Sequence, residues 1–253
     1  MKLNNLIIIS SFFIIVLSAC SKEKSLDTGT GTGSGTSASA RPKTYSEDVT
    51  DDNGHFAVTF NITYDAGNRV TGLVSQADPG TKLVYTYSSG TLFKIDIFNA
   101  GALSIHEEYY LNSNGNPDSA FQYNDTGDST TEKYIYNSAK QLTILKNYIY
   151  SKVTGPELDF ATLYQYDSNG RMIKETDGFT TTTYDYTAIL NPLINLSPFT
   201  YTDAKLIKTT TISDGGVTTV LNHTYTFDTS NRLTSEKIAA SDNSIIVIKS
   251  YTY

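Results

Sequence analysis

A short turn-forming unit recurs along the sequence, and this self-similarity limits the possible folds more than any other feature. Five segments align: Tyr64-Asp65-Ala66-Gly67-Asn68-Arg69-Val70, Leu111-Asn112-Ser113-Asn114-Gly115-Asn116-Pro117, Tyr136-Asn137-Ser138-Ala139-Lys140-Gln141-Leu142, Tyr166-Asp167-Ser168-Asn169-Gly170-Arg171-Met172 and Phe227-Asp228-Thr229-Ser230-Asn231-Arg232-Leu233. Tyr87-Ser88-Ser89-Gly90-Thr91-Leu92 and Tyr201-Thr202-Asp203-Ala204-Lys205-Leu206 are shortened relatives. The Asp or Asn after the aromatic position (Asp65, Asn112, Asn137, Asp167, Asp228) can accept a hydrogen bond from the backbone two residues on, which starts a turn. Three residues later stand Asn68, Gly115, Lys140, Gly170 and Asn231, where the turn needs a left-handed backbone. Gly and Asn adopt that conformation at least cost, and Lys140 alone departs from the pattern. Each copy reads as strand, short loop, strand.

The strands leading into these turns alternate. Phe56, Val58, Phe60, Ile62 and Tyr64 share one face, against Ala57, Thr59, Asn61 and Thr63; Val217, Leu221, Tyr225 and Phe227 repeat the phase. Such alternation marks a half-buried antiparallel strand. Strand formers dominate, with 19 Tyr, 11 Phe and no Trp, and no segment reads as a helix. Hairpins recurring every 20 to 30 residues or so cannot bury their apolar faces singly, so they must stack edge to edge. The expected fold over residues 45–253 is all-β: one long antiparallel meander of repeated hairpins, forming a curved, twisted single sheet, open or partly closed. Tyr251-Thr252-Tyr253 is a half repeat that supplies the last strand, whose edge must then be covered, blunted or used for pairing. Asn191-Pro192 and Ser197-Pro198 interrupt any strand, which predicts a long loop over residues 188–199 and makes it a candidate lid or contact loop.

The aligned segments resemble the YD repeat of the RHS-like family, whose pattern runs Tyr-Asp-x-x-Gly-Arg-Leu, and Tyr166 to Met172 is the nearest copy. Similar degenerate copies occur in bacterial surface lipoproteins. Large members of that family build a β-shell around a toxin. The copies here are too few for such a shell, so the resemblance implies only the local hairpin architecture.

The first residues divide as an export signal does, with Lys2 before an apolar run from Leu6 to Leu17. That run is shorter than the roughly 20 residues a membrane-spanning helix needs. Leu17-Ser18-Ala19-Cys20 resembles the lipobox of bacterial lipoproteins, which implies cleavage between Ala19 and Cys20 and acylation of Cys20. Cys20 is the only cysteine, so it has no disulfide partner within the chain, and lipidation accounts for it. Several acyl chains at about 0.8 kcal/mol per buried CH₂ would hold the protein stably at a bilayer. By analogy with lipoprotein sorting, Ser21 favours the outer membrane of a Gram-negative bacterium, on either its periplasmic or its surface face. The Gly-, Thr- and Ser-rich stretch that follows, within residues 20–44, reads as a flexible linker with a reach of roughly 25 Å.

The formal net charge of −7 is dispersed and no basic stripe exists, which removes nucleic acid as a partner. His55, His106 and His223 lack metal-ligand spacing, no thiolate is available beyond Cys20, and no Ser sits in a nucleophile elbow. Asp125, Gly127 and Asp128 form only a weak calcium candidate, and no metal or cofactor is expected. Glu107 and Glu108 are adjacent on a strand and point to opposite faces, so they cannot act together from one side. These observations favour a non-enzymatic envelope module that binds a glycan or a protein, or supports envelope structure. A hydrolase of extracellular polymers is the alternative, requiring carboxylates to converge in one groove. A subunit of an envelope complex that pairs through a free strand edge is another.

Overall fold

The structure, a computed structural model, describes residues 41–88, 90–151, 155–193 and 205–253. The signal segment, Ala19, Cys20 and the linker up to residue 40 lie outside the described residues, as do Tyr201 to Ala204 and the second half of the expected 188–199 loop. Residues Ala188 to Leu190 at the start of that expected loop belong instead to a strand, and Leu190 pairs with Lys205.

Among the described residues sixteen strands follow one another: β1 (Thr44–Asp51), β2 (Gly54–Tyr64), β3 (Val70–Ser75), β4 (Lys82–Ser88), β5 (Leu92–Asn99), β6 (Ala102–Leu111), β7 (Pro117–Asn124) and β8 (Ser129–Tyr136). The second half comprises β9 (Leu142–Ser151), β10 (Gly155–Tyr166), β11 (Met172–Thr176), β12 (Thr180–Leu190), β13 (Lys205–Asp214), β14 (Val217–Phe227), β15 (Leu233–Ala240) and β16 (Ile246–Thr252). Each strand pairs antiparallel with its neighbours in sequence, and β1 also pairs with β16, so the meander closes into a barrel. The open or partly closed sheet expected from the sequence is therefore corrected. The edge expected at Tyr251 to Tyr253 is taken up by β1, in the register Thr44↔Thr252 to Thr50↔Ile246. Closure removes the free edge on which pairing with an envelope partner would have depended. Strand β1 begins at Thr44, one residue inside the expected linker, and Lys43 already bonds the backbone of Thr252.

The turns explain the register. In the hairpin that joins β2 to β3, Asn68 N donates to Asp65 O and Asp65 N donates to Arg69 O. The same pair of bonds recurs around Asn112 and Gly115, Asn137 and Lys140, Asp167 and Gly170, and Asp228 and Asn231. The fourth turn residue has positive φ in all five, from 59° at Asn231 to 81° at Gly170, with Lys140 at 65°. A register shift follows at the aromatic position, as between Thr63 and Tyr64 or Gln165 and Tyr166. This is a turn completed by a left-handed residue and a bulge. The Asp or Asn side chain accepts the backbone N–H four residues on in each of these turns, including Arg69, Gln141 and Arg232.

Because every strand reverses direction, all connections after even-numbered strands lie at one end of the barrel, which also receives the start of β1. Asp65, Asn68, Asn112, Gly115, Asn137, Asp167, Gly170, Asp228 and Asn231 thus gather on a single rim. A ring of tyrosines ties that rim together. The hydroxyls of Tyr64, Tyr87, Tyr136, Tyr166, Tyr186 and Tyr253 donate to the carbonyls of Pro42, Val70, Pro117, Leu142, Met172 and Leu233. Apart from Pro42, which lies two residues before β1, each acceptor is the residue that opens the strand after the preceding turn. Arginine adds a second link: Arg69 pairs with Asp65 in its own turn and lies over the ring of Tyr87 in the next hairpin, 4.2 Å from its centroid. Arg171 over Tyr186 and Arg232 over Tyr253 repeat the arrangement. Across the seam, Arg41 lies over Tyr64 while Pro42 accepts its hydroxyl, so Arg41-Pro42 supplies the half of a repeat that Tyr251 to Tyr253 lacks.

Candidate functional site

The pleat sorts the side chains into two sets. Inward stand Ile62, Leu83, Phe93, Ile95, Ile97, Tyr109, Tyr134, Leu145 and Tyr164, all buried, so the lumen around them is filled by side chains. Outward stand Ser46, Asp48 and Thr50 of β1, Thr181, Thr183 and Asp185 of β12, and Thr209, Thr211 and Ser213 of β13, which follow from the register that places their neighbours inside.

A belt of carboxylates crosses the inner face. Glu47, Glu107, Glu132, Glu175 and Glu236 each accept a tyrosine hydroxyl, from Tyr45, Tyr109, Tyr134, Tyr184 and Tyr225 respectively. Burial raises the pKa of Glu107 to about 7, with the nearby charge of Glu132 adding to the effect, and burial also pushes Glu47 and Glu132 upward. Glu236 goes the other way: burial pushes it up, but His223, Lys249 and Tyr225 together hold its carboxyl below the usual range. His223 sits between Thr210 Oγ1 at 3.0 Å and Glu236 Oε1 at 2.9 Å. That is the connectivity of a hydroxyl, imidazole and carboxylate triad, but Thr210 is 8% exposed and faces the packed lumen. The cavity beside Glu107 and Glu132 measures about 10 Å³, room for one water at most and not for a substrate. The inner belt reads as a polar layer of the core in which each carboxylate is held by a tyrosine hydroxyl, although Glu47 Oε1 has no hydrogen-bond partner.

Its titration has a measurable consequence. A carboxyl raised from 4.5 to about 7 on folding makes the native state bind the proton more tightly, so stability is greatest below pH 4.5 and declines up to about pH 7. The decline from Glu107 amounts to about 3 kcal/mol at most. Asp65, Asp167, Asp228 and Glu236, with lowered pKa values, act in the opposite sense, and their share is lost only as pH falls below about 4. The barrel should therefore melt several degrees higher at pH 5 than at pH 8, and Glu107→Gln should flatten that slope. A melting temperature that is equal or higher at pH 8 would contradict the assignment.

The outer wall carries a different set. Glu107 and Glu108 do point to opposite faces: Glu108 pairs outward with Lys94, which lowers its pKa to about 2. His106, also outward, contacts Asp96 and Glu108 and packs on Tyr123, while His55 pairs with Asp48 at 2.9 Å. Beside this cluster lies a groove of about 580 Å³ across β7 to β10, lined by Ser119, Phe121, Thr131, Glu132, Lys133, Tyr148, Tyr150 and Pro156. Its volume is typical of ligand sites. Apart from Glu132, these residues lie in outward register positions: Phe121 opposite Thr131, Thr131 opposite Tyr148, and Tyr150 opposite Pro156. None of them stands out in the sequence as a motif. Hairpin register, counted from the turn at Asn137 to Lys140, is the only signal that brings β8 and β9 side chains together.

The turn residues make bonds within the rim and do not meet at a pocket. Asp125, Gly127 and Asp128 belong to a similar turn at the opposite rim, where Asn124 Oδ1 accepts from the backbone of Thr126 and Asp128. Among the described residues, no group of three His, Cys, Asp or Glu side chains has metal-binding geometry. No protein-family model and no curated protein matches the sequence. Solved structures do share the fold. A porin-like protein from Bacteroides uniformis superposes with a TM-score of 0.59 at 14% identity, over 83% of this chain and 97% of that one. A porin-like protein from Bacteroides vulgatus gives 0.57 at 9% identity, over 82% and 97%. At such identities the likeness extends to the fold: a closed antiparallel β-barrel.

Proposed function

We propose that this chain is a non-enzymatic envelope lipoprotein: a barrel that stands in water, tethered through acylated Cys20 to the outer membrane of a Gram-negative bacterium, and binds ligands on its outer wall. One observation carries this reading, the polarity of the barrel. A barrel that spans a bilayer turns an apolar band outward and a polar lumen inward. Here buried apolar side chains fill the inside, and Thr, Ser and Asp dominate the outside of β1, β12 and β13, while Phe121, Tyr123, Tyr148, Tyr150 and Leu158 stand outward on β7 to β10. The fold is shared with porin-like proteins, yet the packed lumen leaves no room for a pore at the level of Phe93, Tyr109 and Tyr134, each at most 5% exposed.

The linker enters at the repeat-turn rim, so in this reading that rim faces the lipid and the outer wall is held clear of it by the spacer. The turns are then degenerate YD repeats used as structural joints. The buried carboxylates support no hydrolase reading, because they face a lumen filled by their tyrosine partners.

The test uses the single cysteine of the sequence. With Cys20 acylated, a Lys133→Cys or Thr183→Cys variant carries one free thiol on the outer wall. A membrane-impermeant maleimide should label either thiol in opened membrane vesicles, and Cys20→Ser should release the protein into the soluble fraction. Protection of both thiols would place the wall in lipid and overturn the reading. Retention of the Cys20→Ser variant on membranes would remove the anchor from it.

A further inference from the structure

Building on the reading that the outer wall faces water, we propose that the groove across β7 to β10 is a binding site for an acidic polysaccharide, a chain of sugar rings bearing carboxylates. The first observation is an uncompensated pair of cations. Lys133 and Lys146 stand directly opposite each other on β8 and β9, both on the outer face. Like charges in that position destabilise a sheet. Among the described residues neither lysine side chain makes an ion pair or a hydrogen bond, whereas the neighbouring outer-wall charges Lys94, Asp96, His106 and Glu108 are all partnered. In a chain of net charge −7, two unpaired lysines kept side by side are a local anion site.

The second observation is the register row beside them, Phe121, Thr131 and Tyr148, which sets a hydroxyl between two aromatic side chains. Tyr150, 60% exposed, extends the aromatic surface toward the far rim. Aromatic faces pack on the flat apolar faces of sugar rings, while the threonine and tyrosine hydroxyls can meet sugar hydroxyls. A groove of about 580 Å³ accommodates more than one ring. The arginines, Arg41, Arg69, Arg171 and Arg232, all lie at the repeat-turn rim, where each lies over a tyrosine ring, so Lys133 and Lys146 supply the cationic charge at the groove, and the aromatic faces beside them point to a sugar as the carrier of the anion. Two point charges beside aromatic faces fit carboxylated sugars.

The full chain, purified in detergent, should bind oligogalacturonate or alginate oligomers in calorimetry, with affinity falling as salt is raised. The double variant Lys133→Gln/Lys146→Gln and the variant Tyr148→Ala should each weaken binding at least tenfold, and the double variant should melt at or above the parent temperature because it removes the repulsion between the two lysines. Neutral galactan oligomers, poly-glutamate peptide and inorganic phosphate should each bind at least tenfold more weakly than the uronate oligomers. Absence of uronate binding, binding unchanged in the variants, or equal affinity for the peptide, phosphate or the neutral sugar would overturn the proposal. Labelling of Lys133→Cys separates the two failures. A labelled thiol without uronate binding rejects this ligand and keeps the water-facing wall, whereas a protected thiol rejects both.

Discussion

A chain from which β1 has been removed should not form a monomeric barrel. Strand β1 closes the sheet through seven residue pairs with β16 and eight with β2, so its loss bares two strand edges at once. Their unpaired N–H and C=O groups template association with other chains. Loss of β1 also uncovers the inward residues next to it, since Tyr45 packs on Tyr251 with ring centroids 5.6 Å apart and Val49 is buried beside Val247. Removal of residues 41–51 should therefore give oligomers by sedimentation and abolish the cooperative melting of the parent chain. A truncated chain that sediments as a monomer and melts at the parent temperature would show that the seam is dispensable.

Phe93→Ala should be the most damaging substitution of a single side chain. Phe93 is 1% exposed and lies among Tyr85, Tyr87 and Tyr109, with centroid distances of 6.0, 4.9 and 5.9 Å. Truncating a buried Phe costs about 3–5 kcal/mol, combining lost transfer free energy with the cavity left behind. The tyrosines around it cannot collapse freely into that space, because Tyr87 is bonded to Val70 O and Tyr109 to Glu107. For a domain of this size the melting temperature should fall by about 6 °C or more, against little change for Thr183→Ala on the outer wall. Denaturant titrations of the two variants measure the difference directly. A Phe93→Ala loss below about 1 kcal/mol would mean that the lumen at this level is not tightly packed.

Much of the wall was legible before any tertiary information. Alternation over Phe56 to Tyr64 assigned the inner and outer faces correctly, because a residue's face depends only on its parity within the strand. The positive φ at Asn68, Gly115, Gly170 and Asn231 could be read from residue type. At Lys140 it could be read only from alignment with the other copies, since nothing in lysine itself favours that backbone. Closure was harder to read. Its signal was split between the two ends of the domain, with Tyr251 to Tyr253 at one and Arg41-Pro42 at the other, and Arg41-Pro42 looked like part of a linker.

What the sequence determined by itself is the local unit: turn chemistry, strand parity and hairpin register are set by residues a few positions apart, through steric and hydrogen-bonding preferences that need no distant partner. Hairpin register even contained the Lys133–Lys146 pair. Tertiary structure alone decided the rest. Whether sixteen strands stay open or meet depends on twist and stagger accumulated over the whole meander, which no single hairpin specifies. The belt of Glu47, Glu107, Glu132, Glu175 and Glu236 likewise exists only once closure places five distant strands around one lumen, where burial pushes the carboxyls of Glu47, Glu107 and Glu132 upward. The groove beside Lys133 has the same origin, as the curvature of four adjacent strands shapes it and individual residues only line it.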